Sequence, residues 1–305
     1  MFHRYPFAHT FSIAARDATT GQLGVAVQSH WFSVGGIVPW AEAGVGAVAT
    51  QAFAEISYGP LGLSQMRSGD SAETALKTLL EKDLQREIRQ VSMIDAAGRA
   101  AVHTGSRCMA FAGHQVGDGF TVQANMMIGP EVWSQMAIAY PKASGDLAER
   151  LLCALETGQA AGGDIRGRQS AAILIVSGKP SGQPWADRLF DLRVEDHPDP
   201  IPELRRLVTI QRAYQLMNQG DAFLAAGQVA DALSAYQAAA KYAPAIVEIP
   251  FWNAVTLADL GRLDEALPIF REVFTAEPVW KEVLRRLPAT GMIKDDPELL
   301  QKILS

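Results

Sequence analysis

Alternating patterns dominate roughly the first two hundred residues. In residues 10–15, Phe11, Ile13 and Ala15 point one way and Thr10, Ser12 and Ala14 the other. Asp17 to Gly21 can supply a turn, and residues 23–29 then set Leu23, Val25 and Val27 against Gly24, Ala26 and Gln28. Neighbouring side chains of a strand face opposite sides, so this stretch predicts a hairpin. The small residues on one face predict another layer packed very close to it. Residues 34–38 and 45–50 read as two more strands around a Pro39-Trp40 bend. Residues 89–95 and 99–103 form another hairpin around Ala96-Ala97-Gly98. Residues 120–127 and 170–176 read as strands, the latter apolar enough to need cover on both faces, and Phe190, Leu192 and Val194 mark a last one.

Helical spacing interrupts the strands. Ala72, Ala75, Leu76, Leu79 and Leu80 fall on one helix face, with Ser71 as N-cap. Pro130 opens a helix with Val132, Trp133, Met136 and Tyr140 inward, and residues 147–156 are amphipathic through Leu147, Leu151 and Leu155. Short links make the sheets antiparallel. The order predicts an α+β architecture of two stacked sheets with helices on both outer faces, not a doubly wound one.

From about residue 200 the chain is almost purely helical. Pro198, Pro200 and Pro202 mark the boundary, which gives domains at 1–200 and 203–305. Gly220, Phe223, Gly227, Ala232, Tyr236, Ala239 and Pro244 recur 34 residues later as Ala254, Leu257, Gly261, Ala266, Phe270, Val273 and Pro278. The period and the residue types resemble two tetratricopeptide repeats. Small residues let paired helices approach, the aromatic fills the gap and the proline ends the second helix. Residues 279–287 would cap the stack. Two repeats are fewer than such arrays normally need, so docking onto the first domain or onto a second subunit of a homo-oligomer is expected. The repeat also implies a peptide or protein partner on its concave face.

Composition narrows the classes. The 305 residues carry 27 Lys+Arg and 33 Asp+Glu, a net charge of −6, and are 48% hydrophobic, which excludes a mainly disordered chain. No basic block argues for nucleic acid. No run approaches the roughly 18 apolar residues of a membrane span, and the N-terminal stretch has no signal-peptide core. Cys108 and Cys153 stand alone and read as small buried hydrophobes of a reducing compartment. A bacterial-type cytoplasmic protein is the default.

No metal or organic cofactor is expected. The six histidines show no HxxxH or HxxE pairing, and there is no GxSxG elbow, Walker loop or GxGxxG after a strand. Residues 113–119 (GHQVGDG) read as a tight turn. Polar clusters remain at strand ends: Thr10/Ser12, Gln28-Ser29, Thr50-Gln51, residues 103–107 with Arg107, and residues 162–170 with Asp164 and Arg168.

The blocks TFSIAARD, GQLGVAVQS, VGGIVPWAEAGVGAVATQA, SYGPLGL, HTGSRC, AGHQVGDGF, QANMM and AAGGDIRGRQSAAILIV resemble the DUF1028 proteins, a bacterial family of unknown function, over residues 10–199. The resemblance implies a fold like that of the N-terminal nucleophile (Ntn) hydrolases, an αββα sandwich. It also implies a nucleophile at the start of the first strand, matched by Thr10, whose own freed α-amine is the base. An amine titrating near pH 7.7–8.0 can take the hydroxyl proton at neutral pH. Nine residues precede Thr10, so that nitrogen is an amide until the His9–Thr10 bond is cut. On this reading Thr10 attacks a small amide or peptide-like substrate. Ser29 and the backbone N–H groups near Thr50 and Asn125 are oxyanion or substrate candidates. Arg107 or Arg168 would hold a substrate carboxylate, and Asp164 would orient the arginine or bind a substrate amine. The alternative is a non-catalytic Ntn-like scaffold whose helical repeat recruits a protein partner.

Overall fold

The computed structural model describes residues 7–305. Contacts divide the chain into two compact units, one ending at Val208 and one running from Thr209 to Ser305.

The first unit holds two antiparallel sheets. In one, β5 (Gly46–Phe53) lies beside β6 (Arg89–Asp95), which pairs onward with β7 (Ala100–Thr104). Two short strands share the other edge of β5. β4 (Pro39–Glu42) pairs with Gly46 to Ala49, and β1 (Phe7–Ala8) pairs with Ala52 and Phe53. The second sheet has the order β11 (Arg188–Val194), β10 (Ser170–Val176), β3 (Leu23–Ser29), β2 (Thr10–Arg16), β9 (Phe120–Ala124), β8 (Gly113–Gly117).

Alternation along each strand decides which layer a side chain joins. Phe11, Ile13 and Val122 pack outward against α3 (Glu131–Ala139) and α4 (Leu147–Ala160), meeting Met136, Leu151 and Leu155. Val48, Val91 and Met93 pack outward against α1 (Tyr58–Arg67) and α2 (Ala72–Lys82). Ala14, Val25, Val27, Ala47 and Ile94 fill the space between the sheets. The unit is therefore the αββα sandwich that the pattern predicts. The small face of β3 is where α4 comes close: a Cβ on Gly24 would lie 2.9 Å from Ile175 Cγ1 and 3.0 Å from Leu151 Cδ1. Ser71 caps α2 by accepting from the Thr74 N–H.

Two local readings need correction, and one helix has no counterpart in the sequence pattern. Residues 34–38 are not a strand; Val34–Gly36 is a single 3-10 turn, and the extended segment starts at Pro39. A Cβ on Gly35 would sit 2.7 Å from Ala172 Cβ, so this turn presses onto the other sheet, while proline is tolerated at the start of an edge strand. Residues 113–119 are not only a turn: residues 113–117 form β8, and Asp118-Gly119 makes the two-residue hairpin link to β9. Helix α1 carries Gly59, Pro60 and Gly62, which conceal it in the sequence. Both glycines are contact points, with Trp40 and Met93 lying 2.4 and 2.7 Å from where a Cβ would be.

Pro200 and Pro202 stand in the first turn of α5 (Pro200–Ala225), where a missing N–H costs little. Ile201, Leu204 and Val208 join the core beneath α3 and α4, so the division of contacts falls inside α5 rather than at the prolines.

The second unit contains α6 (Val229–Tyr242), α7 (Glu248–Asp259), α8 (Leu263–Ala276), α9 (Trp280–Arg286) and α10 (Pro297–Leu304). Ala232, Tyr236, Ala254, Leu257, Ala266, Phe270 and Val273, all positions of the 34-residue repeat, share one core. A Cβ on Gly220 would lie 2.5 Å from the Tyr236 ring, which explains the small residue there.

Gly24→Val tests the close layer. The added side chain meets Ile175 and Leu151 with nowhere to go, so a loss of about 1–3 kcal/mol is expected. A thermal melt should shift down by roughly 2–4 °C per kcal/mol; an unchanged melting temperature would contradict the packing.

Candidate active site at the start of β2

Thr10 opens β2 directly opposite Ser29, the last residue of β3. Its side chain faces the space between the sheets and is wholly buried. The Thr10 hydroxyl donates to the Ala8 carbonyl at 2.7 Å and lies 3.1 Å from Ser29 Oγ. Ser29 Oγ in turn donates to the His9 carbonyl at 2.6 Å. A second donor reaches the same oxygen: Arg166 Nη2 at 2.8 Å. The carbonyl of the peptide bond that precedes Thr10 therefore accepts one hydroxyl and one guanidinium hydrogen bond.

Arg166 is held by Asp164. Its Nε and backbone N–H donate to Oδ1 at 3.0 and 2.9 Å, and its Nη2 donates to Oδ2 at 2.7 Å. The carboxylate also accepts the His30 N–H at 3.1 Å. The Asp164 side chain is fully buried and Arg166 only partly so, which fixes the guanidinium plane while leaving one edge toward His9.

Behind Thr10 runs a ladder of amides between the sheets. Gln51 Nε2 donates to the Thr10 carbonyl at 3.0 Å and to Gln90 Oε1 at 2.7 Å. Gln90 Nε2 reaches the Ala124 carbonyl at 2.9 Å, and Asn125 Nδ2 returns to Gln90 Oε1 at 2.8 Å. Asn125 Oδ1 then accepts from His9 Nδ1 at 2.5 Å. The His9 ring also meets Phe53 edge-on at 5.8 Å. Burial pushes the His9 pKa below the ordinary 6.5; the Asn125 bond opposes this and the positive charge of Arg166 adds to it.

The structure brings Thr10, Ser29, Asn125 and Asp164 into this one cluster. Thr50 is nearby, but its N–H is already bonded to the Val38 carbonyl and its hydroxyl to Glu55. The Asn125 N–H is likewise bonded to the Thr10 carbonyl, so Asn125 acts through its side chain. Arg168 is exposed and paired with Asp199, and Arg107 is exposed on the loop after β7; neither reaches Thr10. The arginine at the site is Arg166, two residues before Arg168 in the same glycine-rich block. Sequence reasoning also passed over His9 and Gln90. The signal for Gln90 was a long amide on the inward face of β6, alternating with the apolar Val91 and Met93 of the outward face.

Among the described residues, no group of three His, Cys, Asp or Glu is placed to hold a metal, and no helix is long and apolar enough to cross a membrane. A cavity of about 480 Å³ lies between α2 and β7, lined by Leu76, Leu80 and His103, and another of about 390 Å³ beside Pro180; neither is lined by Thr10.

The model of a family of unknown function, DUF1028, matches residues 10–204. The chain belongs to the DUF1028 family. A tetratricopeptide repeat model matches residues 217–279 of this DUF1028 chain. The crystal structure of protein SPO2555 from Silicibacter pomeroyi, titled as a DUF1028 protein, is similar to it at 32% identity with a TM-score of 0.59, over 65% of this chain and 84% of that one. No curated protein matches.

The His9 environment predicts a pH signature. With its folded-state pKa below 6.5, the unfolded chain takes the proton first as pH falls. In the uncut chain, kept whole by Thr10→Ala, the protein with His9 should lose stability relative to the one with His9→Gln between about pH 7 and pH 5, by no more than about 1.4 kcal/mol per pH unit, and the difference should be constant at higher pH. Denaturant titrations across that range that show a constant difference throughout would contradict the buried neutral ring.

Proposed function

We propose that this protein is a threonine amide hydrolase of the N-terminal-nucleophile type, which frees its nucleophile by cutting its own His9–Thr10 bond. The reading extends to a small amide or peptide-like substrate. The observation that carries it is the convergence of Ser29 Oγ and Arg166 Nη2 on the His9 carbonyl, the one carbonyl adjacent to Thr10 nitrogen.

The contacts support a proton path for the cut, once the Thr10 hydroxyl turns its one hydrogen from the Ala8 carbonyl to Ser29 Oγ. The Thr10 hydroxyl oxygen attacks the His9 carbonyl carbon. Its proton passes to Ser29 Oγ, and the Ser29 proton moves to the carbonyl oxygen, which gives a neutral five-membered adduct. Arg166 stabilises the charge that builds on that oxygen. Collapse breaks the C–N bond and moves the proton to nitrogen, leaving an ester on Thr10 Oγ1 and an amine. One water then hydrolyses the ester to a His9 carboxylate and a Thr10 hydroxyl. The freed α-amine serves as base when the same hydroxyl attacks an external amide.

The helical unit has a separate role. Its match to tetratricopeptide repeats supports binding of a protein partner. The wholly buried Thr10 hydroxyl with its nitrogen in an amide favours this as the activity of the uncut chain, in which the sandwich is a scaffold.

Two substitutions test the nucleophile. Thr10→Ala should remove turnover of small amides, followed by release of ammonia or amine, by several orders of magnitude, roughly 5 kcal/mol or more of transition-state stabilisation. Thr10→Ser should keep measurable turnover because the hydroxyl remains. Equal activity of Thr10→Ala and wild type would overturn the mechanism. Inactivity of every folded form would leave the partner-binding scaffold as the function.

A further inference from the structure

β4 covers the edge of β5 only from Gly46 to Ala49, and the next stretch of that edge, Ala52 and Phe53, is taken by β1. The chain thus lays its own extended segment into a slot beside Thr10. Ala8 is wholly buried in the apolar layer between the sheets. The next residue places its imidazole on Asn125 Oδ1 at 2.5 Å and edge-on to Phe53, and gives its carbonyl to Ser29 and Arg166. The polar side chains that face the segment are held by partners of their own: Asn125 is braced by Gln90, Arg166 by Asp164, and Ser29 is placed by the β2–β3 register. Two of the non-glycine residues with positive φ, Ala52 at 69° and Met126 at 59°, flank the same slot, the first pairing with Ala8 and the second following Asn125. Backbone held in a sparsely populated region is characteristic of ligand clamps.

We infer that the slot filled by β1 and His9 is the acyl-side substrate site, and that its substrates are extended peptides that add a strand to β5, with a small residue in the place of Ala8 and a hydrogen-bond-donating aromatic side chain, histidine above all, in the place of His9. This rests on the reading of Thr10 as nucleophile and names the substrate class of that site. Main-chain pairing to an open sheet edge gives affinity, and the side-chain pocket gives selectivity. The amide oxygen of Asn125 selects a donor because its nitrogen is already committed to Gln90. A glycine there would leave that oxygen buried and unpaired. While the segment is attached it competes at an effective concentration on the millimolar scale, so the uncut chain is closed to peptides in solution.

The test measures binding, not turnover, on the full chain carrying Thr10→Ala so that the segment stays attached. Ala8→Asp, added to it, puts a carboxylate where a buried methyl sits and should expel the segment. Fluorescently labelled Phe-Ala-His peptide amide should then bind, by anisotropy, at least about tenfold more tightly than to the chain with Ala8 intact. The matching Phe-Ala-Gly peptide should bind roughly tenfold more weakly than the histidine peptide, and Asn125→Ala should abolish that preference. His9→Gly in the same background is a second route that keeps Ala8, and the histidine peptide should displace its weakened tether. Binding equal in opened and closed folded chains, or no preference for histidine over glycine, would overturn the inference. Thr10 is replaced in every one of these proteins, so the result is independent of whether Thr10 is the nucleophile. Peptide selectivity with no turnover by wild type would count against the nucleophile alone.

Discussion

Gln51 and Gln90 reach from one sheet into the main chain of the other and grip the carbonyls of Thr10 and Ala124. An apolar pair in their place would remove these bonds between the sheets, at about 0.5–1.5 kcal/mol each, and leave the Thr10 carbonyl only the Asn125 N–H. Ser12 and Gln123 extend the same pattern, donating to Gln51 Oε1 and to the Ala49 carbonyl. At this end the sandwich is joined by directional bonds, while toward Val25 and Ile94 it is joined by ordinary apolar packing. Apolar layers tolerate sliding; a ladder in which each amide is committed to named partners does not. The ladder therefore fixes the height of Thr10 relative to Asn125 and, through Asn125, the position of His9.

That constraint explains why the donors around the His9 carbonyl meet at one point. Ser29 is placed by strand register, opposite Thr10. Arg166 comes from a loop, yet its orientation is set by a buried carboxylate that accepts four hydrogen bonds from Arg166 and His30. The components come from β3, the segment before β2, the end of β9 and the loop before β10, all at one end of the second sheet. Strand ends bring distant residues together without distorting the ladders, which is why chemistry gathers there. The helical unit follows a different logic, with repeated small and aromatic positions such as Gly220 and Tyr236 setting helix spacing.

Much of this was legible in the sequence, for physical reasons. Period-two alternation exposed β2 and β3, and the 34-residue recurrence exposed the repeat, because both arise from local geometry. Helix α1 was not legible because Gly59 and Gly62 serve close packing against Trp40 and Met93 rather than helix propensity. The strand β8 hid behind its glycines in the same way. At the site, Thr10, Ser29 and Asp164 stood out as polar residues at strand ends, while Asn125 was expected to serve through a backbone N–H and serves through its side chain. Arg166 could not be told from Arg168 by type or neighbourhood; only the turn at Gly167, with φ of 110°, sends one toward His9 and the other toward Asp199.

The claim that organises these observations is that the His9–Thr10 bond is built to be cut. Intact-mass spectrometry of the purified 32.9 kDa chain, sampled over time at neutral pH, addresses it most directly. Accumulation of a chain beginning at Thr10, abolished by Thr10→Ala and slowed by Ser29→Ala, is the expected result. A chain that stays whole under these conditions, with the thermal stability and circular dichroism of a folded protein, would contradict it.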